Sequence, residues 1–289
     1  MGINYKTAWL LASLSLDDSP IEKVDFTKTL TLGRQSFTLS QKECHILSRR
    51  YFSSKICRDK YSEKYFHLLA RSRGSRAGYV DSLDYSDYEG ATIIHDLTTP
   101  ISNDLKGLYT CVFDGGLLEH IWNYPIALRN AMDMIATNGH LIMVTPGNNM
   151  FGHGFYQFSP ELFYSILSKK NGFTDTKVYL CNHNYQWFLV KNPRIIHSRT
   201  EVSPKWSNAL LYIVSRKVGI VPDSIQAYQS DYEEIWAQNE SGTLSQNTQS
   251  VAEKIHNNLP TAMRGIVRKL YESLTYNRLF KEKFTRIWL

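Results

Sequence analysis

Three aspartates, Asp84, Asp96 and Asp114, each end an apolar, strand-like run, and Gly33 ends the run before them. A carboxylate accepts two hydroxyl hydrogen bonds at once. An acid at the end of a second strand, about 50 residues after a glycine turn, therefore suits a ribose diol. Asp84 has that position. Asp96, one run later, is placed to accept from an adenine amino group. A lone strand-end acid more often just caps the next helix; three on successive runs favour a ligand.

A second concentration of chemistry is Asn148-Asn149-Met150-Phe151-Gly152-His153-Gly154-Phe155-Tyr156-Gln157-Phe158-Ser159-Pro160. Flanking glycines give His153 backbone freedom that other residues lack. Imidazole as a group changes charge near neutral pH, so it can take a proton from an attacking hydroxyl. Asn149, Tyr156 and Gln157 are candidates to contact a substrate. His120, directly after Glu119, is the second candidate base. The plainer alternatives are that His153 packs or caps a turn, and that Glu119-His120 braces the next helix.

These residues need elements to hold them. Residues 29–33 read as a short buried strand stopped by Gly33. Residues 41–76 carry apolar residues at helical spacing, and 7–16 read as a short amphipathic helix rather than a secretion signal. Strand-like runs follow at 78–84, 91–97, 108–114 and 140–145, with a helix over 125–136 ended by Asn138-Gly139. Ser159 and Pro160 sit where an N-cap and a first helical residue belong. Two later strand-like runs lie near 176–181 and 209–215. Strands alternating with helices imply a mostly parallel sheet covered on both faces, with ligands at the carboxyl ends of the strands.

In this order the strand ends, Asp114-Gly115-Gly116-Leu117-Leu118-Glu119-His120, Asn138-Gly139-His140 and the run ending Thr145-Pro146 resemble the class I S-adenosylmethionine-dependent methyltransferases over about residues 25–217. The resemblance implies a Rossmann-like sheet with a terminal antiparallel hairpin, helices on both faces and S-adenosylmethionine as cofactor. The cofactor-binding set it implies is Gly33, Arg34, Gln35, Asp84, Asp96, Asp114 and Gly115. The family's first loop is usually Gly-x-Gly-x-Gly; here it is Gly33-Arg34-Gln35-Ser36-Phe37, so Arg34 or Gln35 is expected to contact the cofactor carboxylate instead. The activity implied is methyl transfer, with a hydroxyl of a small-molecule or glycan-like acceptor as the expected target because His153 supplies a base. The competing reading is a non-catalytic binding or scaffold protein that keeps the fold, which the altered loop favours. A nicotinamide dehydrogenase fits less well, since GxGxxG is missing. Glu119, His120 and His153 also resemble part of the metal set of the small-RNA 2′-O-methyltransferases. One ligand of that set falls on Gly116, and the expectation is that no metal is used.

The chain of 289 residues carries 33 Lys and Arg against 27 Asp and Glu, a net charge of +6. Residues 41–76 hold ten bases and three acids, which reads as a basic helical insertion and a collar for an anionic acceptor. Residues 1–220 read as the methyltransferase domain. Residues 221–251, with five acids and no base, read as an acidic polar linker, and 252–289, with eight bases and three acids, as a basic helical tail. In that tail Leu270, Leu274, Phe280, Phe284 and Trp288 interleave with the charges. That pattern suits a helix packed on the body with a solvated basic face, or a weak contact with an anionic membrane surface. There is no recognised nucleic-acid motif. Four scattered cysteines without metal or disulfide spacing point to a reduced, cytoplasmic setting.

Overall fold

A computed structural model describes residues 2–19, 21–52, 56, 59–71, 78–182, 184–200, 202, 208–240 and 281–287. The elements, in chain order, begin with β1 (Gly2–Ile3), α1 (Tyr5–Leu14), β2 (Lys28–Leu32), β3 (Ser36–Phe37), α2 (Gln41–Tyr51), α3 (Glu63–Arg71), β4 (Tyr79–Asp84) and β5 (Ile93–Ile94). They continue with β6 (Tyr109–Asp114), α4 (Tyr124–Met134), β7 (Ile135–Pro146), α5 (Pro160–Ile166), β8 (Phe173–Cys181) and β9 (Trp187–Val190). After these come α6 (Pro193–Ile196), β10 (Leu210–Lys217), α7 (Ser230–Glu240) and β11 (Phe284–Ile287).

Nine strands form one sheet in the order β11-β9-β8-β10-β7-β6-β2-β4-β5. The stretch from β7 to β5 is parallel throughout. β10 runs antiparallel to both β7 and β8, and β9 and β11 continue antiparallel. Side chains alternate across it with the two-residue period of a strand. Val112, Leu141, Met143, Leu211 and Ile213 join the core under α4 and α5. Cys111, Phe113, Ile142, Val144, Tyr212 and Val214 join the core under α1, α2 and α3. Both faces are therefore dry, which is what lets a parallel sheet be stable.

Local chemistry explains the helix starts. The Asn4 side chain accepts the Thr7 N–H at the head of α1. Ser40 and Glu43 form a reciprocal capping box on α2. Pro160 does open α5, but Ser159 at its N-cap makes no side-chain capping bond.

Several expectations change. Residues 41–76 are not a separate insertion in their described part: Cys44, Leu47, Tyr65, Phe66, Leu69 and Ala70 are buried in the layer that covers one face of the sheet. The 91–97 run yields only the two-residue β5. The helix expected to reach 136 stops at Met134, and Asn138 is absorbed within β7 in a left-handed conformation, φ 67°. The acidic linker contains α7, whose Asp231 pairs with Arg199 at 2.6 Å and whose Glu233 pairs with Arg194. Phe284 of the basic tail is buried in the core as part of β11, not exposed on a helix. Leu270, Leu274, Phe280 and Trp288 lie outside the described residues, as does most of the 238–250 stretch. Among the described residues no helix is long and apolar enough to cross a membrane.

Candidate active site

The chain passes from β2 through α2 and α3 to β4 on one side, and reaches β6 on the other side of β2. The strand order reverses there. A crevice opens between the carboxyl ends of β2 and β6, the place where open α/β sheets take ligands. In register, Leu32 faces Leu83 of β4 and Asp114 of β6. Gly33, Asp84 and Asp114 thus stand side by side along one edge, as their spacing suggested.

Gly33 turns the chain with φ 71°, a left-handed conformation that suits glycine. A Cβ on Gly33 would lie 3.5 Å from Gln35 Nε2, 3.7 Å from Leu117 Cδ2 and 3.8 Å from Asp84 Oδ2, so these side chains rim the turn. Asp84 Oδ1 accepts the Tyr85 N–H at 2.7 Å. Asp96, at the end of the short β5, accepts the N–H and hydroxyl of Thr98 at 2.9 and 2.7 Å. Those bonds, the backbone one foremost, hold its carboxyl below the usual range. Asp96 fastens a turn in this structure.

Arg34 points elsewhere than expected. Its Nε donates to Glu63 at 2.7 Å, its Nη1 donates to the Glu89 carbonyl, and its guanidinium lies over the Tyr61 ring at 3.9 Å. Gln35 instead is buried and lies across the crevice. Its Nε2 donates to the Leu32 carbonyl at 2.6 Å, and a Cβ placed on Gly115 would stand 2.1 Å from its Oε1.

Beyond β6 the chain makes a tight turn. Asp114 Oδ1 accepts the N–H groups of Gly116 and Leu117 at 3.2 and 2.8 Å, fixing the turn that carries Glu119 and His120. Asp114 and Glu119 are both fully buried. Asp114 Oδ2 and both carboxylate oxygens of Glu119 have no hydrogen-bond partner among the described residues. Burial raises both carboxyls, to about 7. The Thr145 hydroxyl, at the end of β7, opposes that rise for Glu119 without making a well-formed hydrogen bond.

The 148–158 loop brings His153 onto this acid. Its Nε2 stands 3.4 Å from Glu119 Oε1, and its ring meets His120 edge-on with centroids 5.0 Å apart. Partial burial, then the neighbouring His153, hold His120 below the usual imidazole range. Three bonds set the loop: Phe155 N–H to the Glu119 carbonyl at 2.8 Å, Phe158 N–H to the Pro146 carbonyl at 2.9 Å, and Met150 N–H to Gln157 Oε1 at 2.9 Å. Tyr156 donates its hydroxyl to the Trp122 carbonyl at 2.6 Å and stacks between Trp122 and Phe158. Tyr156 and Gln157, expected at the substrate, thus brace the loop. Asn149 takes a left-handed conformation, φ 57°, at its tip. Phe151, Phe155 and Trp122 are exposed around the histidines. Sequence reasoning passed over Trp122, Thr145 and the buried partner role of Glu119. The Glu-His dipeptide was visible, but which of the two faces inward was not.

Glu119, His120 and His153 each offer a ligand atom, and these lie within 4.8 Å of one another. One carboxylate and two imidazoles suit a divalent transition ion. The unpaired Glu119 oxygens fit either such a cation or a protonated imidazole.

Strand order, strand direction and the crevice define a Rossmann-like class I methyltransferase fold. No family model matches the chain, and no curated protein sequence does. Among solved structures, the N-methyltransferase NodS from Bradyrhizobium japonicum, in complex with S-adenosyl-L-homocysteine, is 15% identical. That likeness covers 73% of this chain and 85% of that one, with a TM-score of 0.35. Phosphoethanolamine N-methyltransferase 1 of Haemonchus contortus, in complex with phosphoethanolamine and S-adenosylhomocysteine, is 12% identical over 92% of this chain and 54% of that one, with a TM-score of 0.33. The YcgJ protein of Bacillus subtilis is 8% identical over 75% of this chain and all of the other, with a TM-score of 0.38. The fold assignment rests on this chain's own strand order.

Proposed function

We propose that the chain is an S-adenosylmethionine-dependent methyltransferase that acts on a hydroxyl of a small or glycan-like acceptor. The observation that carries this reading is adjacency. The ligand crevice at Gly33, Asp84 and Gln35 opens beside an imidazole pair seated on an unpaired, buried carboxylate. Asp84 would hold the ribose hydroxyls, with Gly33 and Gly115 letting backbone come close. The unpaired Gln35 Oε1 supports such a ligand, because a buried acceptor is normally satisfied.

When bound, the cofactor supplies an electrophilic methyl group on sulfur. His153 takes the proton of the acceptor hydroxyl as oxygen becomes the nucleophile. Glu119 orients that imidazole and balances the positive charge it gains, a charge that in turn favours ionised Glu119. The exposed rings of Trp122 and Phe155 offer flat apolar surface to an acceptor such as a sugar ring. Placing the two reactants together does the rest.

The same three side chains support a second reading, in which a divalent ion on Glu119, His120 and His153 binds the acceptor oxygen. Calorimetry with S-adenosylmethionine and turnover of the His153→Ala variant test both. The variant is expected to keep cofactor affinity and lose turnover. Unchanged turnover removes His153 from the chemistry. Turnover lost to a chelator and restored by manganese or zinc selects the metal reading. A protein that binds no cofactor at physiological concentration is the scaffold instead.

A further inference from the structure

Gln35 occupies the middle of the crevice, and its side chain is 4% exposed. Its amide orientation is fixed by chemistry: the Leu32 carbonyl at 2.6 Å needs a donor, so the nitrogen faces β2 and the oxygen faces β6. That oxygen has no hydrogen-bond partner among the described residues. It lies over Gly115, where any Cβ would strike it at 2.1 Å, so the missing side chain at 115 makes room for it. An unpaired buried acceptor costs about 1–3 kcal/mol, and such groups are rare in native proteins.

The direction of the crevice says what would pair with it. The strand order along the edge is β4, β2, β6. With a ribose at Asp84, a ligand laid across Gly33 brings its other end to Gln35 and Gly115. The charges there are negative: Asp114 precedes Gly115, and Glu119 raises the Asp114 carboxyl through its own charge. Arg34, the nearest cation in sequence, is turned toward Glu63. Such a place repels a carboxylate and attracts a cationic donor.

We propose that Gln35 Oε1 accepts a hydrogen bond from the α-ammonium group of the cofactor's amino-acid end. The proposal rests on the cofactor reading above and replaces the expected contact of Gln35 with the cofactor carboxylate. Gln35 is then a specificity residue: it distinguishes a ligand with an amine at that end from one without it.

The test is titration calorimetry with three probes: S-adenosylhomocysteine, its desamino analogue, and methylthioadenosine, which lacks the whole amino-acid end. They are measured on the wild type, Gln35→Leu and Gln35→Glu. Gln35→Leu is expected to weaken S-adenosylhomocysteine roughly ten- to hundredfold, the range of a hydrogen bond to a charged group, and to change the other two less than about threefold. Gln35→Glu keeps an acceptor and is expected to retain or raise the preference for the amine. Equal weakening of all three probes by Gln35→Leu would make Gln35 a packing residue and overturn the proposal. So would no change in any of them, as when a water is the partner. A wild type that binds S-adenosylhomocysteine while either result holds leaves the cofactor reading standing. A wild type that binds none of the three sinks both.

Discussion

At the scale of single residues, Gly154 decides where His153 goes. Its φ is 68°, and a Cβ there would sit 2.9 Å from the Glu119 carbonyl oxygen and 3.0 Å from its Cγ. The neighbouring Gly152 has open space around it. Gly154→Ala is therefore expected to cost about 1–2 kcal/mol of stability, to lower turnover and to leave the dissociation constant for S-adenosylmethionine unchanged. Gly152→Ala is expected to be near neutral in all three. Denaturant unfolding and calorimetry read the difference, and equal effects at the two glycines would show that the close approach to Glu119 is not what positions the loop. The sequence displayed two glycines around a histidine. Only the approach of a second loop, from β6, tells them apart. The same holds for Arg34 and Gln35, adjacent candidates for one task. Glu63, 29 residues further on, draws one away and leaves the other in the crevice.

At the scale of elements, the parallel half of the sheet was legible because each strand is an apolar run ended by glycine or aspartate. The antiparallel end was less so. β9 is four residues, Trp-Phe-Leu-Val, too short for a period to show. Its partner β11 lies in a basic stretch whose composition resembles a solvated helix. Pairing decides the matter: Phe284 aligns with Val190 and Ile287 with Trp187. Phe284→Asp is expected to cost roughly 3 kcal/mol or more, since it removes a buried ring and introduces a charge into the core. It should also promote self-association, because it frees the edge of β9. A midpoint of urea unfolding equal to the wild type would contradict this role for β11. The acidic stretch misread as a linker is explained by charge: α7 pairs its acids with Arg194, Arg199 and His197.

At the scale of the whole molecule, the net charge of +6 describes little by itself. The bases of the 41–76 stretch that the structure describes are partly engaged: Lys64 with Asp59, Arg50 over Trp9, Lys60 over Tyr61. What unites the molecule is a sheet buried on both faces, with its chemistry gathered at one edge. Class and crevice could be read from strand order and strand ends, which are local. The inward carboxylates could not, because their burial depends on loops that meet only when the fold is complete.

The pairing of β9 with β11 also has a consequence in time. The two strands are separated by roughly 90 residues, so closing them carries a large loop entropy. A ribosome adding about 5–20 residues per second needs roughly 5 to 20 seconds to cross that interval. Throughout it Trp187, Phe188, Leu189 and Val190 present an apolar edge with no strand beside them. A nascent chain of this protein therefore passes through a sticky stage that the finished one conceals, and a holding chaperone would find its target there.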